Sequence, residues 1–325
     1  MNVFRNLDQV PADFGPSVVT VGNFDGVHCG HRAILAELVS RARALNAKAV
    51  VITLDPHPAT VLRAATAPRM ITPLPAKLAL LQQSGIDAVL LIPFDDVFAQ
   101  TSALQFAEHV LRDGIHAVEI HEGHDFRFGH RGEGNMALLQ TLGTTCGFNT
   151  CITQPLTMGG SIVSSSRIRT LIAAGSVSAA RRLLGRPFSV HSTPASGRGY
   201  GTRYAVPTIN LAPYADLLPG HGVYITDLTI GEGDSAETFE GVTNIGNRPT
   251  FGVDSFAVET YLLRFHPVTL DESTPLTLTL YKRLREERKW PSPEALKAQI
   301  GLDVARAERW FHLRSVMASR AWSQV

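Results

Sequence analysis

Hydrophobic and polar positions alternate in two different ways along this chain. In the first half, short apolar runs rich in Val and Ile predict strands at 17–22, 48–54, 88–94, 117–121 and 148–154. Between them, apolar positions recur at helical spacing over 32–44, 76–84, 102–113 and 134–142. In the helical pattern that opens near His28, Leu35, Leu38, Ala42 and Leu45 share one face. Strands alternating with helices predict a parallel, Rossmann-like α/β sheet covered on both faces, with ligands bound beyond the carboxyl ends of its strands. Short helices are predicted at 170–174 and 178–184, and Gly185-Arg186-Pro187 then breaks the pattern. Beyond it, apolar runs at 188–192, 222–230, 238–243, 257–265 and 275–281 are separated by Gly-, Pro- and Asp-rich segments, which predicts a small antiparallel barrel or sandwich. A C-terminal helix is expected at 293–318, with Leu296, Ile300, Val304, Ala307 and Phe311 as its buried face. The change of pattern divides the chain into domains 1–184 and 185–325.

Composition narrows the function classes. With 325 residues and a formal net charge of +1, the chain is long enough for two domains and is no dedicated nucleic-acid binder. Any phosphate site must therefore be local. Cys29, Cys146 and Cys151 are odd in number and lack metal-ligand spacing in the sequence. Those cysteines, an N-terminal stretch without an apolar leader and the lack of any membrane-length apolar run make a cytoplasmic setting the expectation. The partners expected are small molecules, not nucleic acid or membrane. The sequence leaves a homo-oligomer open.

Polar clusters follow the predicted strands. After the first comes Gly22-Asn23-Phe24-Asp25-Gly26-Val27-His28-Cys29-Gly30-His31, a glycine turn that opens a helix. Free backbone N–H groups at a helix start meet anions, and His28 and His31, three apart, lie on the same side of the first turn. Two imidazoles there suit a polyphosphate whose charge grows as phosphorus is attacked. Asp55-Pro56-His57-Pro58 follows the second strand and reads as a rigid turn. The segment from Gly123 to Gly129 follows the fourth and carries Asp125, Phe126 and Arg127, a wall for a planar ligand with a charged tail. Ser164-Ser165-Ser166-Arg167-Ile168-Arg169 opens another helix, where hydroxyls and Arg167 or Arg169 can hold phosphate oxygens. In the second half, Gly197-Arg198-Gly199-Tyr200-Gly201 is a loop whose backbone could approach phosphates. Thr208 and Asn210 point the same way on an extended segment and offer oxygen ligands to Mg²⁺. Glu259, in an otherwise apolar strand, is a candidate general base for a hydroxyl nucleophile.

Taken in order, these motifs, together with Leu183-Leu184-Gly185-Arg186-Pro187 and Ile245-Gly246-Asn247-Arg248-Pro249-Thr250-Phe251-Gly252, resemble the bacterial bifunctional riboflavin kinase/FAD synthetase family almost from end to end. The resemblance implies a nucleotidyltransferase α/β domain followed by a six-stranded riboflavin-kinase barrel. It implies that the second module phosphorylates the ribityl 5′-hydroxyl of riboflavin with ATP, giving FMN. The first would adenylylate FMN with a second ATP, giving FAD and pyrophosphate. Carried over, His28 and His31 stabilise the ATP phosphates with Gly22 and Asn23 beside them, and Ser165, Arg167 and Arg169 hold the triphosphate. Asp125, Phe126 and Arg127 line the FMN side. Gly199 and Gly201 belong to the kinase loop, Thr208 and Asn210 hold Mg²⁺ and nucleotide phosphate, and Glu259 takes the 5′-hydroxyl proton. Departures from the family pattern cluster at 191–206, where Arg203, Tyr204, Ala205 and Val206 stand, and Arg264 replaces a common acidic residue. They open a second reading: an FMN adenylyltransferase alone, its barrel serving as a flavin-binding module.

Overall fold

The computed structural model describes residues 1–195, 208–247 and 256–322. Contacts gather these residues into two units, Met1–Ser165 and Ser166–Val325.

The first unit is built on a six-stranded, all-parallel sheet. Its strands are β1 (Asn2–Phe4), β2 (Ser17–Val21), β3 (Lys48–Asp55), β4 (Ala88–Pro93), β5 (Ala117–Gly123) and β6 (Asn149–Thr153), in the order β1-β4-β3-β2-β5-β6. Neighbouring residues in a strand face opposite sides, and here both sides are buried: Val18 and Val19 are each 0% exposed. Val18, Val51 and Val89 join one core with Leu35 and Leu38, while Val19, Val50 and Leu90 join another with Phe106, Val110 and Leu139. Double burial explains why the strands read as continuous apolar runs rather than alternating ones. The helices are α1 (Cys29–Ala44), α2 (Pro58–Leu62), α3 (Leu74–Gln83), α4 (Ala103–Gln105) and α5 (Met136–Cys146). α4 opens on a capping box between Ser102 and Gln105 and continues as a π-helix through Phe106–Gly114. Two short strands, β7 (Thr157–Met158) and β8 (Ser161–Ile162), precede α6 (Ser165–Ala173). The strand order reverses between β2 and β5, which makes their carboxyl ends the switch point of the sheet.

The second unit opens with the rest of α6 and with α7 (Val177–Leu184), whose Ser178 hydroxyl donates to the Tyr281 carbonyl at 3.0 Å. Gly185 then ends α7 in the left-handed conformation. Its sheet is antiparallel: β9 (Phe188–Ser192), β10 (Thr208–Asn210), β11 (Gly222–Ile230), β12 (Glu237–Asn247), β13 (Phe256–Leu262) and β14 (Leu276–Arg285), ordered β10-β13-β12-β11-β14-β9. The two edges meet: Ala195 N–H donates to the Asn210 carbonyl and Ala212 N–H to the Thr193 carbonyl, each at 2.8 Å. This contact joins the edges and curls the sheet toward a barrel. One face carries a buried hydroxyl ladder, Thr226 to Thr243 at 2.7 Å and Thr243 to Thr260 at 2.9 Å. On the other, Val223, Ile225, Val242 and Tyr281 pack against Ala307 and Phe311 of α8 (Pro293–Trp322). Arg314 adds an ion pair to Asp227 at 3.1 Å, and Arg285 one to buried Asp303 at 2.8 Å.

The C-terminal helix departs from its expected face. Ala307 and Phe311 are buried, but Leu296 and Ile300 are 40% and 44% exposed. Helical spacing places all five apolar residues on one stripe, yet only the middle turns, around Asp303, Ala307 and Phe311, are buried, and Leu313 and Met317 beyond them are 52% and 72% exposed. No described helix is long and apolar enough to cross a membrane.

Candidate functional site

The loop after β2 is anchored from several sides. Gly22 N–H donates to the Ile52 carbonyl at 2.9 Å, one residue past the strand. The chain then turns through positive φ at Phe24 (47°), Gly26 (85°) and Val27 (35°). A β-branched residue at positive φ is strained, and the strain is held by burial: Phe24 and Val27 are 4% and 0% exposed, inside the core that contains Leu35 and Leu38. Buried Asp25 accepts from Ile71 N–H at 3.0 Å and Thr72 N–H at 3.1 Å. The Asp25 carbonyl accepts the Ser165 hydroxyl at 2.8 Å, so the first residue of α6 sits on this turn. The Asn23 carbonyl accepts from Lys77 Nζ at 3.2 Å and from Thr53 Oγ1 at 3.4 Å. Lys77 is buried, and desolvation holds its pKa below the usual lysine value against the opposing charges of Asp25 and Asp55.

That turn delivers the paired histidines. His28 caps α1, its Nδ1 accepting the His31 N–H at 3.2 Å. An accepting Nδ1 places the proton of a neutral His28 ring on Nε2. The two rings stack at 3.6 Å and 14°, with the Phe24 ring 5.0 Å from His31. Gly30 permits this: a Cβ there would stand 3.1 Å from His28 Cε1 and Nδ1.

Beside it, β5 ends in the second loop. Glu122, the penultimate residue of β5, is buried and accepts Val21 N–H at 2.5 Å and the Thr20 hydroxyl at 3.4 Å. Its carboxylate therefore bridges the two switch-point strands. Desolvation raises its pKa well above the usual carboxylate range; Val21 N–H and Thr20 oppose that, and Asp125 adds to it. In the loop, Asp125 and Arg127 are exposed and Phe126 is half-buried. Phe126 stacks on Phe128 at 5.4 Å and 11°, and Phe128 is a core residue packed on Phe106 at 5.8 Å. Gly134 makes room for that core ring, since a Cβ there would lie 2.6 Å from Phe128.

In the second unit, strand register does the positioning. Asn210 of β10 lies opposite Glu259 of β13, and Glu259 lies opposite Asn244 of β12. Thr208 lies opposite Tyr261, so Thr208, Asn210, Glu259 and Asn244 share one face, the face opposite Thr243 and Thr260. Glu259 is exposed there. Arg167 and Arg169 lie in the first turns of α6 and are half-buried. Gly199 and Gly201 lie outside the described residues, as does the segment after Asn247 through Gly252.

Sequence reasoning overlooked Lys77, Glu122 and Asn244. Lys77 is four residues before buried Leu81 on α3, so its place on the buried stripe was readable from spacing. Glu122 falls one residue past the strand predicted at 117–121, and in the fold it is the penultimate residue of β5. Asn244 stands just before the Ile245–Gly252 motif, and only its register opposite Glu259 brings it to the site.

A FAD synthetase family model matches residues 10–167, and a riboflavin kinase family model matches residues 184–311. A Pseudomonas fluorescens protein named bifunctional riboflavin kinase/FMN adenylyltransferase is 35% identical over 94% of this chain and 97% of its own. An Escherichia coli K12 protein of the same name is 35% identical over 95% of this chain and 96% of its own. Among solved structures, a Streptococcus pneumoniae chain described as a macrolide-efflux protein superposes with a TM-score of 0.79 at 24% identity. It covers 95% of this chain and 98% of its own, and it bears on the fold alone.

Proposed function

The chain belongs to the bifunctional riboflavin kinase/FMN adenylyltransferase family, and on that premise we propose how its residues divide the two reactions. The chain phosphorylates riboflavin to FMN with one ATP and adenylylates FMN to FAD with a second, releasing pyrophosphate. The match to both family models favours this reading over an adenylyltransferase with a silent barrel.

Adenylyl transfer is assigned to the switch point of the parallel sheet. An FMN phosphate oxygen attacks the α-phosphorus of ATP, and pyrophosphate leaves in line. His28, donating from Nε2–H, and His31 would stabilise charge on the phosphate oxygens, with Gly22 and Asn23 shaping the turn. Ser165, Arg167 and Arg169 would hold the triphosphate. Asp125, Phe126 and Arg127 would line the FMN side, Phe126 offering a ring face braced by Phe128. The observation that supports this most is the pairing of the His28 loop and the Phe126 loop on adjacent strands at the order reversal.

Riboflavin phosphorylation is assigned to the face of β10, β13 and β12. Glu259 would accept the 5′-hydroxyl proton as that oxygen attacks the γ-phosphorus and ADP leaves. The Thr208 hydroxyl and Asn210 side-chain carbonyl, on the same face, form an all-oxygen donor pair that fits Mg²⁺. Bound with ATP, the ion would neutralise phosphate charge. Gly199 and Gly201 would let backbone approach the phosphates. The division into domains 1–184 and 185–325, a cytoplasmic setting, partners confined to small molecules rather than nucleic acid or membrane, and the option of a homo-oligomer belong to the same proposal.

The test is purified protein with riboflavin, ATP and Mg²⁺, with flavins separated by chromatography. FMN and FAD should both form. FAD appearing only when FMN is supplied would overturn the kinase assignment.

A further inference from the structure

A second set of chemistry-bearing side chains converges in the first unit, away from the residues given roles above. Glu37 on α1, His121 on β5 and Cys151 on β6 each offer a ligand atom, and these atoms lie within 4.8 Å of one another. His121 and Cys151 are register partners on neighbouring parallel strands, and Glu37 is exposed on the helix beside them. Glu37 is nine residues along α1 from His28, a rise of roughly 13 Å, so the cluster is distinct from the phosphate loop.

The histidine is set up as a ligand. His121 is 2% exposed, and its Nε2 is 2.8 Å from Glu119 Oε1. Arg41 grips the same carboxylate with two hydrogen bonds of 2.8 Å. A carboxylate on Nε2–H fixes the tautomer whose Nδ1 lone pair is available, the arrangement that orients metal-binding imidazoles. That Nδ1 is buried and has no hydrogen-bond partner among the described residues. A buried polar atom left without a partner calls for an explanation, and a cation among the three donors supplies one.

We propose that Glu37, His121 and Cys151 bind a divalent cation of the zinc type. One thiolate, one imidazole and one carboxylate suit a borderline-soft ion and disfavour Mg²⁺, which prefers oxygen donors. A tetrahedral ion at about 2.0–2.3 Å from each donor needs them roughly 3.3–3.8 Å apart, so the cluster must tighten slightly. Glu37, on an exposed helix face, is the member placed to move. The fourth position is left to water. β6 is the edge strand of the sheet, so the ion would clip that edge to β5 and α1.

Cobalt(II) reads out such a site directly. Reduced full-length protein, without ATP, should take up one equivalent of Co²⁺ with tetrahedral visible bands and a near-ultraviolet thiolate-to-metal band. Zn²⁺ should displace it and excess Mg²⁺ should not. Cys151→Ser should abolish the thiolate band, Glu119→Gln should weaken affinity roughly 10–100-fold, and Glu37→Gln should weaken it at least about tenfold by the same reasoning. Zn²⁺ should raise the Tm of the wild type and leave that of Cys151→Ser unchanged. No thiolate band in the wild type, or a band that survives Cys151→Ser, would overturn the proposal. If Cys151→Ser fails to fold, unchanged Co²⁺ affinity in Glu37→Gln overturns it instead.

Discussion

The two units position chemistry in opposite ways. In the parallel unit, the proposed groups sit on or next to loops beyond the strands, and the loop that delivers His28 is tied down by buried polar side chains: Asp25, Lys77 and Thr53 bond the loop itself, and Glu122 bonds the end of the strand that leads into it. In the antiparallel unit, Glu259 and Asn210 sit within strands, and the ladder itself fixes them across from each other. A loop has no ladder, so its geometry must come from side chains that satisfy its free backbone groups. A strand needs only its register, because a slip of one residue would turn every side chain to the wrong face. Catalytic groups on loops therefore come with hidden supporting residues, and those on strands with visible spacing.

The largest expected effect separates the two units outright. Glu259→Gln should lower the kcat for FMN formation about 10²–10⁴-fold, with FAD formation from supplied FMN unchanged. His28→Ala or His31→Ala should do the reverse, lowering adenylylation about 10²–10³-fold and sparing FMN formation. Product-resolved kinetics decide both, and equal loss of both reactions in either variant would break the division of labour.

The anchors come next. Asp25→Ala strands the Ile71 and Thr72 N–H groups in a buried site, and denaturant unfolding should show a loss of about 1–3 kcal/mol. Adenylylation should fall with it, because the turn carrying His28 loosens. Thr243→Val breaks two bonds of the hydroxyl ladder and should cost the antiparallel unit about 1–3 kcal/mol, while FAD formation from supplied FMN persists. If Asp25→Ala left adenylylation intact, the idea that this loop depends on its anchors would fail.

The smallest effect is one of pH. Glu122 has a folded-state pKa above its unfolded value, so the native state binds the extra proton between the two. Stability from this group is full below the unfolded carboxylate value and is lost as pH rises through the folded one. Glu122→Gln keeps an acceptor for Val21 N–H and removes the titration. Its Tm relative to wild type should rise as the pH is raised, and a difference that is flat with pH would show that Glu122 does not titrate in this way.

Legibility followed the length and period of each signal. The five longer strands of the parallel sheet and most of the barrel strands could be read because apolar runs of that length are hard to mistake. β1, three residues long, could not, and it exists through pairing with β4; β10, equally short, was readable as an extended segment, but its place beside β13 was not. The π-helical stretch after α4 shares apolar positions with an α-helix, so spacing cannot tell the two apart. Of the proposed site, His28, His31, Thr208, Asn210 and Glu259 stood out as chemistry at meaningful spacing. Lys77 and Glu122 did not, because their worth depends on which backbone atom lies next to them.

By itself, the amino-acid order determined the sequence of motifs, the switch from a doubly buried parallel sheet to an antiparallel one, and the candidate pairs closest in sequence. These are properties of neighbours along the chain, and periodicity carries them. Tertiary structure alone decided that Lys77 reaches the Asn23 carbonyl, that only the middle turns of α8 are covered, and that Glu37, His121 and Cys151 meet. Those three come from separate elements, brought together when helix and sheet bury their apolar faces, and no spacing along the chain encodes the distance between them.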